Sequence, residues 1–112
     1  MRRIGVHRVF LPTRSRLLSY QVVTVSDGGE VTDCVPLSRE QAATEWWGGL
    51  LVVAPEVVER LSDESFEDFC RRLSDRYATA SESICPLRAF HVSPFDAAAL
   101  QFTPDSRLRP VR

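Results

Sequence analysis

The chain has 112 residues, 44% apolar and 26% charged, which suits one soluble globular domain. It contains neither lysine nor asparagine, so all 14 basic residues are arginine, and a P-loop lysine, a lysine Schiff base and a glycosylation sequon are excluded. Two histidines, His7 and His91, exclude a three-histidine metal centre.

The net charge of −1 conceals a split. Residues 1–26 carry five arginines and no acid, residues 27–82 carry 13 acids and five arginines, and residues 83–112 carry two acids and four arginines. Basic ends around an acidic middle are expected to pair in the fold. The alternative is a basic face for an anionic partner, built from the arginines of residues 2–16 and 107–112. A pI near 6.1 and the lack of a stacking motif argue against nucleic acid as that partner.

The first half reads as β. Ile4 to Leu11 is a strand, and Pro12-Thr13-Arg14-Ser15 a turn. Leu17 to Val25 is rich in β-branched and aromatic residues. Asp27-Gly28-Gly29 then supplies a tight hairpin, and Glu30 to Val35 returns as a strand that Pro36 stops. Asp27-Gly28-Gly29-Glu30 is no phosphate cradle: it leads into a strand and its acids repel phosphate. Ser38 to Ala43 is a helical turn or a loop. Trp46 and Trp47 are adjacent, so in an extended segment they point to opposite sides. One can join the core, and the other is a candidate interface anchor. After Gly48-Gly49, Leu50 to Val53 suits a strand buried on both faces.

The second half opens with helices. Pro55 stands at the start of a short one over residues 55–61. Ser62 is the expected N-cap of a longer one, from about Glu64 to Tyr77, because Phe66, Phe69, Cys70, Leu73 and Tyr77 form a helical stripe. Glu56, Glu59, Glu64, Glu67 and Asp68 form a solvated face with pairs such as Glu67–Arg71 and Asp68–Arg72. Residues 80–83 read as a linker and Leu87 to Val92 as a strand. Ser93 and Pro94 start a short helix toward Leu100, Thr103 to Ser106 is a turn, and the tail from Arg107 is an extended strand end or disordered.

Three stretches carry a resemblance: "HRVFLP" at residues 7–12, "LLSYQVVTVSDGGEVTDCVP" at 17–36 and "TEWWGGLLVVAP" at 44–55. In that order they resemble the N-terminal β-domain of amidohydrolase-superfamily enzymes. The resemblance implies a small β-sheet module over residues 1–55. In that family a glycine and an H-x-H metal pair follow the proline. Here Pro55 leads into Glu56-Val57-Val58-Glu59-Arg60-Leu61, so no catalytic residue carries over, and the chain is too short for the barrel of roughly 250 residues.

The expected architecture is α+β in a single domain, residues 1–112: β-rich over 1–54, helical over 55–79, then a strand, a short helix and a tail. A mainly antiparallel sheet of four to six strands packs against two or three short helices. The leading functional expectation is a non-catalytic binding or assembly module. It self-associates as a homodimer, or holds an unidentified protein partner, through Trp46 or Trp47. The alternative is a small enzyme pairing His91 with Cys85 or Cys34, since a thiolate needs a neighbouring base. Its bland counterpart is a half-buried histidine bonded to backbone or to Asp96. No metal or cofactor is called for. The N-terminus lacks a signal-peptide core, and no apolar run approaches the ~20 residues of a membrane span. The three cysteines are expected as buried thiols, so a cytoplasmic setting is expected.

Overall fold

The computed structural model describes residues 1–37, 44–77 and 87–111. The expectations for residues 38–43 and 80–83, and for Cys85, lie outside the described residues. Seven strands and one helix follow in order: β1 (Arg2–Leu11), β2 (Arg16–Val25), β3 (Val31–Pro36), β4 (Thr44–Trp46), β5 (Leu50–Ala54), α1 (Phe66–Tyr77), β6 (Arg88–Asp96) and β7 (Gln101–Pro110).

The strands form one mixed sheet in the order β3-β2-β1-β5-β6-β7, with β4 also paired to β1. The expected hairpin is present: β1, β2 and β3 run as an antiparallel meander, turned at Ser26–Gly29. β4 and β5 both lie parallel to β1, at residues 3–5 and 8–10 respectively. They are two halves of one strand interrupted at Trp47–Gly49, which raises the strand count above the expected six. β5, β6 and β7 complete the sheet antiparallel. The sheet curls until its sides meet: Glu30 bridges Arg88, and the Val31 N–H donates to the Leu87 carbonyl at 2.8 Å.

Curling gives the sheet two cores. Inside lie Ile4, Val6, Val9, Leu11, Val23, Val25, Leu51, Val53, Ala89 and Val111. Outside, Phe10, Leu50, Val52, Ala54, Phe90 and Val92 pack under Phe66, Phe69, Leu73 and Tyr77 of α1. β5 alternates between the two, which is why its run of apolar residues is unbroken.

Several expectations are corrected. Residues 55–61 are not helical. Only Val58 is anchored in the core, and Val57 stays 68% exposed. A helix under two turns gains too few hydrogen bonds to offset its nucleation. Side chains serve this backbone instead: Arg72 Nη2 donates to the Glu59 carbonyl at 2.6 Å, and Glu64 Oε1 accepts from the Leu61 N–H at 3.1 Å. Among the described residues the sheet therefore packs on one helix, not two or three.

The N-cap of α1 is Ser65, not Ser62. Its Oγ accepts from the Asp68 N–H at 3.1 Å, while Ser62 lies in a turn. Arg72 also pairs with Glu64, at 2.9 Å, and not with Asp68. Glu67 and Asp68 both meet Arg71.

Ser93 to Leu100 forms no helix. β6 continues to Asp96 because Phe95 wedges between Phe66 and Phe102, at 5.1 and 6.1 Å between ring centres. Only Ala97–Leu100 turns, closed by the Ala99 N–H on Asp96 Oδ1 at 3.0 Å. Thr103–Ser106 is likewise part of β7, at a register irregularity opposite Ser93–Phe95, with the Thr103 N–H on Ser106 Oγ at 2.8 Å. The tail is ordered strand through Pro110, and the Val111 N–H reaches the Ala89 carbonyl at 2.9 Å.

Candidate functional site

The β4–β5 interruption organises the most distinctive part of the surface. Gly48 and Gly49 both have positive φ, +68° and +67°, which L side chains rarely adopt. At this kink the Trp47 and Gly48 N–H groups share the Gly5 carbonyl, at 2.9 and 3.2 Å. The peptide joining Gly48 to Gly49 is turned out of the ladder. Both of its polar groups are taken by histidine. The Gly49 N–H donates to His7 Nδ1 at 2.9 Å, and His91 Nε2 donates to the Gly48 carbonyl at 3.1 Å. The two histidines of the chain thus hold opposite ends of one peptide unit. As an acceptor at Nδ1, neutral His7 carries its proton on Nε2. Burial pushes the His91 imidazole below its ordinary 6.5, against the opposing pull of the Gly48 bond.

Each histidine also touches one tryptophan. Trp46 meets His7 edge-on at 4.9 Å, and Tyr20 approaches the same imidazole at 5.9 Å. The result is an aromatic row across β4, β1 and β2 on the outer face. Trp46 remains 52% exposed and Tyr20 53%. The Trp46 ring is fixed because it lies over Gly5, where an added Cβ would come within 2.9 Å of it. Trp47 points the opposite way, as expected for adjacent strand residues. It packs against His91 at 5.2 Å and under the Arg2 guanidinium at 4.9 Å.

A second feature follows from β1. Its inward residues are Ile4 and Val6, then Val9 and Leu11. The parity changes across His7-Arg8, so both side chains lie toward the outer face. Tyr20, with φ +50°, stands opposite on β2, where residues 7 and 20 drop out of the paired register. His7, Arg8 and Tyr20, with Ala97 and Ala98 of the β6–β7 turn, enclose a cavity of about 260 Å³. Arg8 Nη1 donates to Ser19 Oγ. Its Nε is buried without a hydrogen-bond partner.

Of the expected thiol–imidazole pairs, the one between Cys34 and His91 is not assembled, and Cys85 lies outside the described residues. The Cys34 thiol faces Gln21 Oε1 at 3.7 Å, and His91 faces Gly48. Burial first, and Asp33 second, push the Cys34 thiol up. Burial and Glu64 push Cys70 up to about 12. Neither is a ready thiolate at neutral pH. Among the described residues, no three His, Cys, Asp or Glu side chains converge as a metal centre.

Arg2 pairs with Glu45 at 3.2 Å, as the charge split suggests. Arg107 and Arg109 lie on β7, which β5 and β6 separate from β1 in the sheet. Arg8, Tyr20 and the Gly48–Gly49 peptide escaped sequence reasoning. The Trp-Trp-Gly-Gly run was the available signal, but the change of parity at His7-Arg8 leaves no mark in composition.

Among the described residues, a mixed seven-stranded sheet with one helix packed on its outer face makes the fold α+β. No family model, no curated protein and no solved structure matches the chain. No described helix is long and apolar enough to cross a membrane.

Proposed function

We propose that this chain is a non-catalytic binding or assembly module that self-associates through the outer face carrying Trp46. The observation that supports it is the half-exposed Trp46, held rigid over Gly5 and against His7. An aromatic ordered before binding loses little conformational entropy on contact, which is the property of an interface anchor. Tyr20 extends the same surface on the neighbouring strand. Trp47, sandwiched between His91 and Arg2, supports the kink and is not the contact. A cytoplasmic setting belongs to the same reading, in keeping with the free thiols Cys34 and Cys70. So does kinship of the β1–β5 unit with the amidohydrolase N-terminal β-domain, which rests on the sequence resemblance.

The test is solution mass by size-exclusion chromatography with light scattering at two concentrations. A dimer that Trp46→Ala dissociates, with unchanged circular dichroism, is expected. A monomer at both concentrations, or a dimer indifferent to Trp46→Ala, refutes the assignment.

A further inference from the structure

The Arg8 cavity points to a ligand. Nη1 of the guanidinium is committed to Ser19 Oγ. On the opposite edge, Nε is sealed from water without an acceptor, the one such side-chain atom among the described residues. Buried donors are normally paired, so an orphan beside a cavity asks for an acceptor that the protein does not supply. The Nε–Nη2 edge of a guanidinium presents two parallel N–H groups, the fork that a two-oxygen anion fills. The cavity beside it holds further donor capacity. His7 carries its proton on Nε2, because Nδ1 accepts from Gly49, and the Tyr20 hydroxyl can donate.

Among the described residues, no carboxylate lines the cavity. Asp96, which precedes the Ala97-Ala98 roof in sequence, is committed to the Ala99 N–H. The roof itself is two methyl groups, which leave the space open.

We propose that this cavity binds a small oxyanion, a carboxylate or a phosphate group, carried on a flat body that lies against His7 and Tyr20. The anion draws the Nε–Nη2 edge of Arg8 toward the cavity and gives both N–H groups an acceptor. Trp46 does not line the cavity, whereas Tyr20 lines it and also borders the self-association face, so the titration is run on the Trp46→Ala chain as well as on the wild type.

The test is a titration of the ¹⁵N-labelled chain with acetate, benzoate and inorganic phosphate, at constant ionic strength balanced with chloride. Saturable shifts are expected at the Ala97 and Ala98 amides and at the Arg8 Nε–H. The acetate and phosphate arms separate the two sources of the anion. Benzoate is expected to bind more tightly than acetate, and equal binding overturns the flat body. Arg8→Gln is expected to weaken binding about tenfold or more, as loss of a charge-assisted pair requires. Ala98→Leu fills the roof and is expected to block binding with Arg8 intact, so the test survives if Arg8→Gln fails to fold. No saturable shift with any probe to about 10 mM overturns the proposal. So does binding that both variants leave unchanged.

Discussion

Replacing Gly49 by alanine tests the reasoning about the kink most directly. Gly49 has φ +67°, and a Cβ there would lie 2.9 Å from the Val92 carbonyl oxygen. The left-handed conformation costs a residue with a side chain about 1–2 kcal/mol. The contact is with backbone of β6, so it cannot be relieved by a side-chain rotation. Forcing it apart adds about 1–3 kcal/mol, as other overpacked sites do. Gly49→Ala is therefore expected to lose about 2–5 kcal/mol, a large part of a total stability of about 5–15 kcal/mol. Gly48→Ala shares the positive φ, but its Cβ meets the His7 ring at 3.2 Å, which can tilt. It should lose only about 1–2 kcal/mol. At Gly28 the nearest atom is Ser26 Oγ at 3.9 Å and no positive φ is required, so Gly28→Ala should stay within about 0.5 kcal/mol of wild type. Urea denaturation of the three variants, analysed with a common m-value, gives the order. If Gly49→Ala unfolds with Gly28→Ala, the kink is not fixed as described, and the histidine clamp falls with it.

Four further outcomes follow from individual contacts. Glu64→Gln breaks the pair with Arg72, in which the Glu64 side chain is only 8% exposed, and should cost about 2–3 kcal/mol in urea denaturation. Glu67→Gln, on the exposed pair with Arg71, should cost under about 0.5 kcal/mol, and equal losses would contradict the role of Glu64. Ser65→Ala should lower stability by about 1 kcal/mol and Ser62→Ala by almost nothing, as thermal unfolding will show. His91 is held below its ordinary 6.5 by burial, so the unfolded chain takes up the proton first as pH falls. Its contribution is complete above 6.5 and is lost as pH drops toward and through the folded value; His91→Gln, which keeps an N–H for Gly48, should flatten that part of the stability–pH curve. Finally, Cys34 and Cys70 should alkylate slowly in the folded chain and quickly in urea, read by mass spectrometry of the labelled peptides. Fast labelling of either at neutral pH would revive thiol chemistry.

Much of the site was legible as residue types and little of it as geometry. The adjacent tryptophans did split to opposite sides, since alternation is a property of any extended chain. His91 is a half-buried histidine bonded to backbone, the plainer of its two readings. Its partner, the Gly48 carbonyl, lies 43 residues away in sequence. Cys34 and His91 are not paired: the chain enters β3 and β6 side by side at Glu30–Arg88 and Val31–Leu87, while the two side chains found acceptors of their own.

Local signals determined the hairpin at Asp27–Gly29, the buried strand at Leu50–Val53 and the amphipathic helix ending at Tyr77. Each draws its stability from features within a few residues: turn glycines, apolar runs and a 3.6-residue stripe. Tertiary structure decided the rest. Arg72 and Glu64 took the backbone groups that a helix over residues 55–61 would have used. Phe95 found Phe66 and Phe102, and that packing outweighed the helical preference of the three alanines that follow Asp96. Arg8 and His7 came to share one face because Ile4, Val6, Val9 and Leu11 all turn inward, and unbroken alternation from Ile4 and Val6 would have put Arg8 inside.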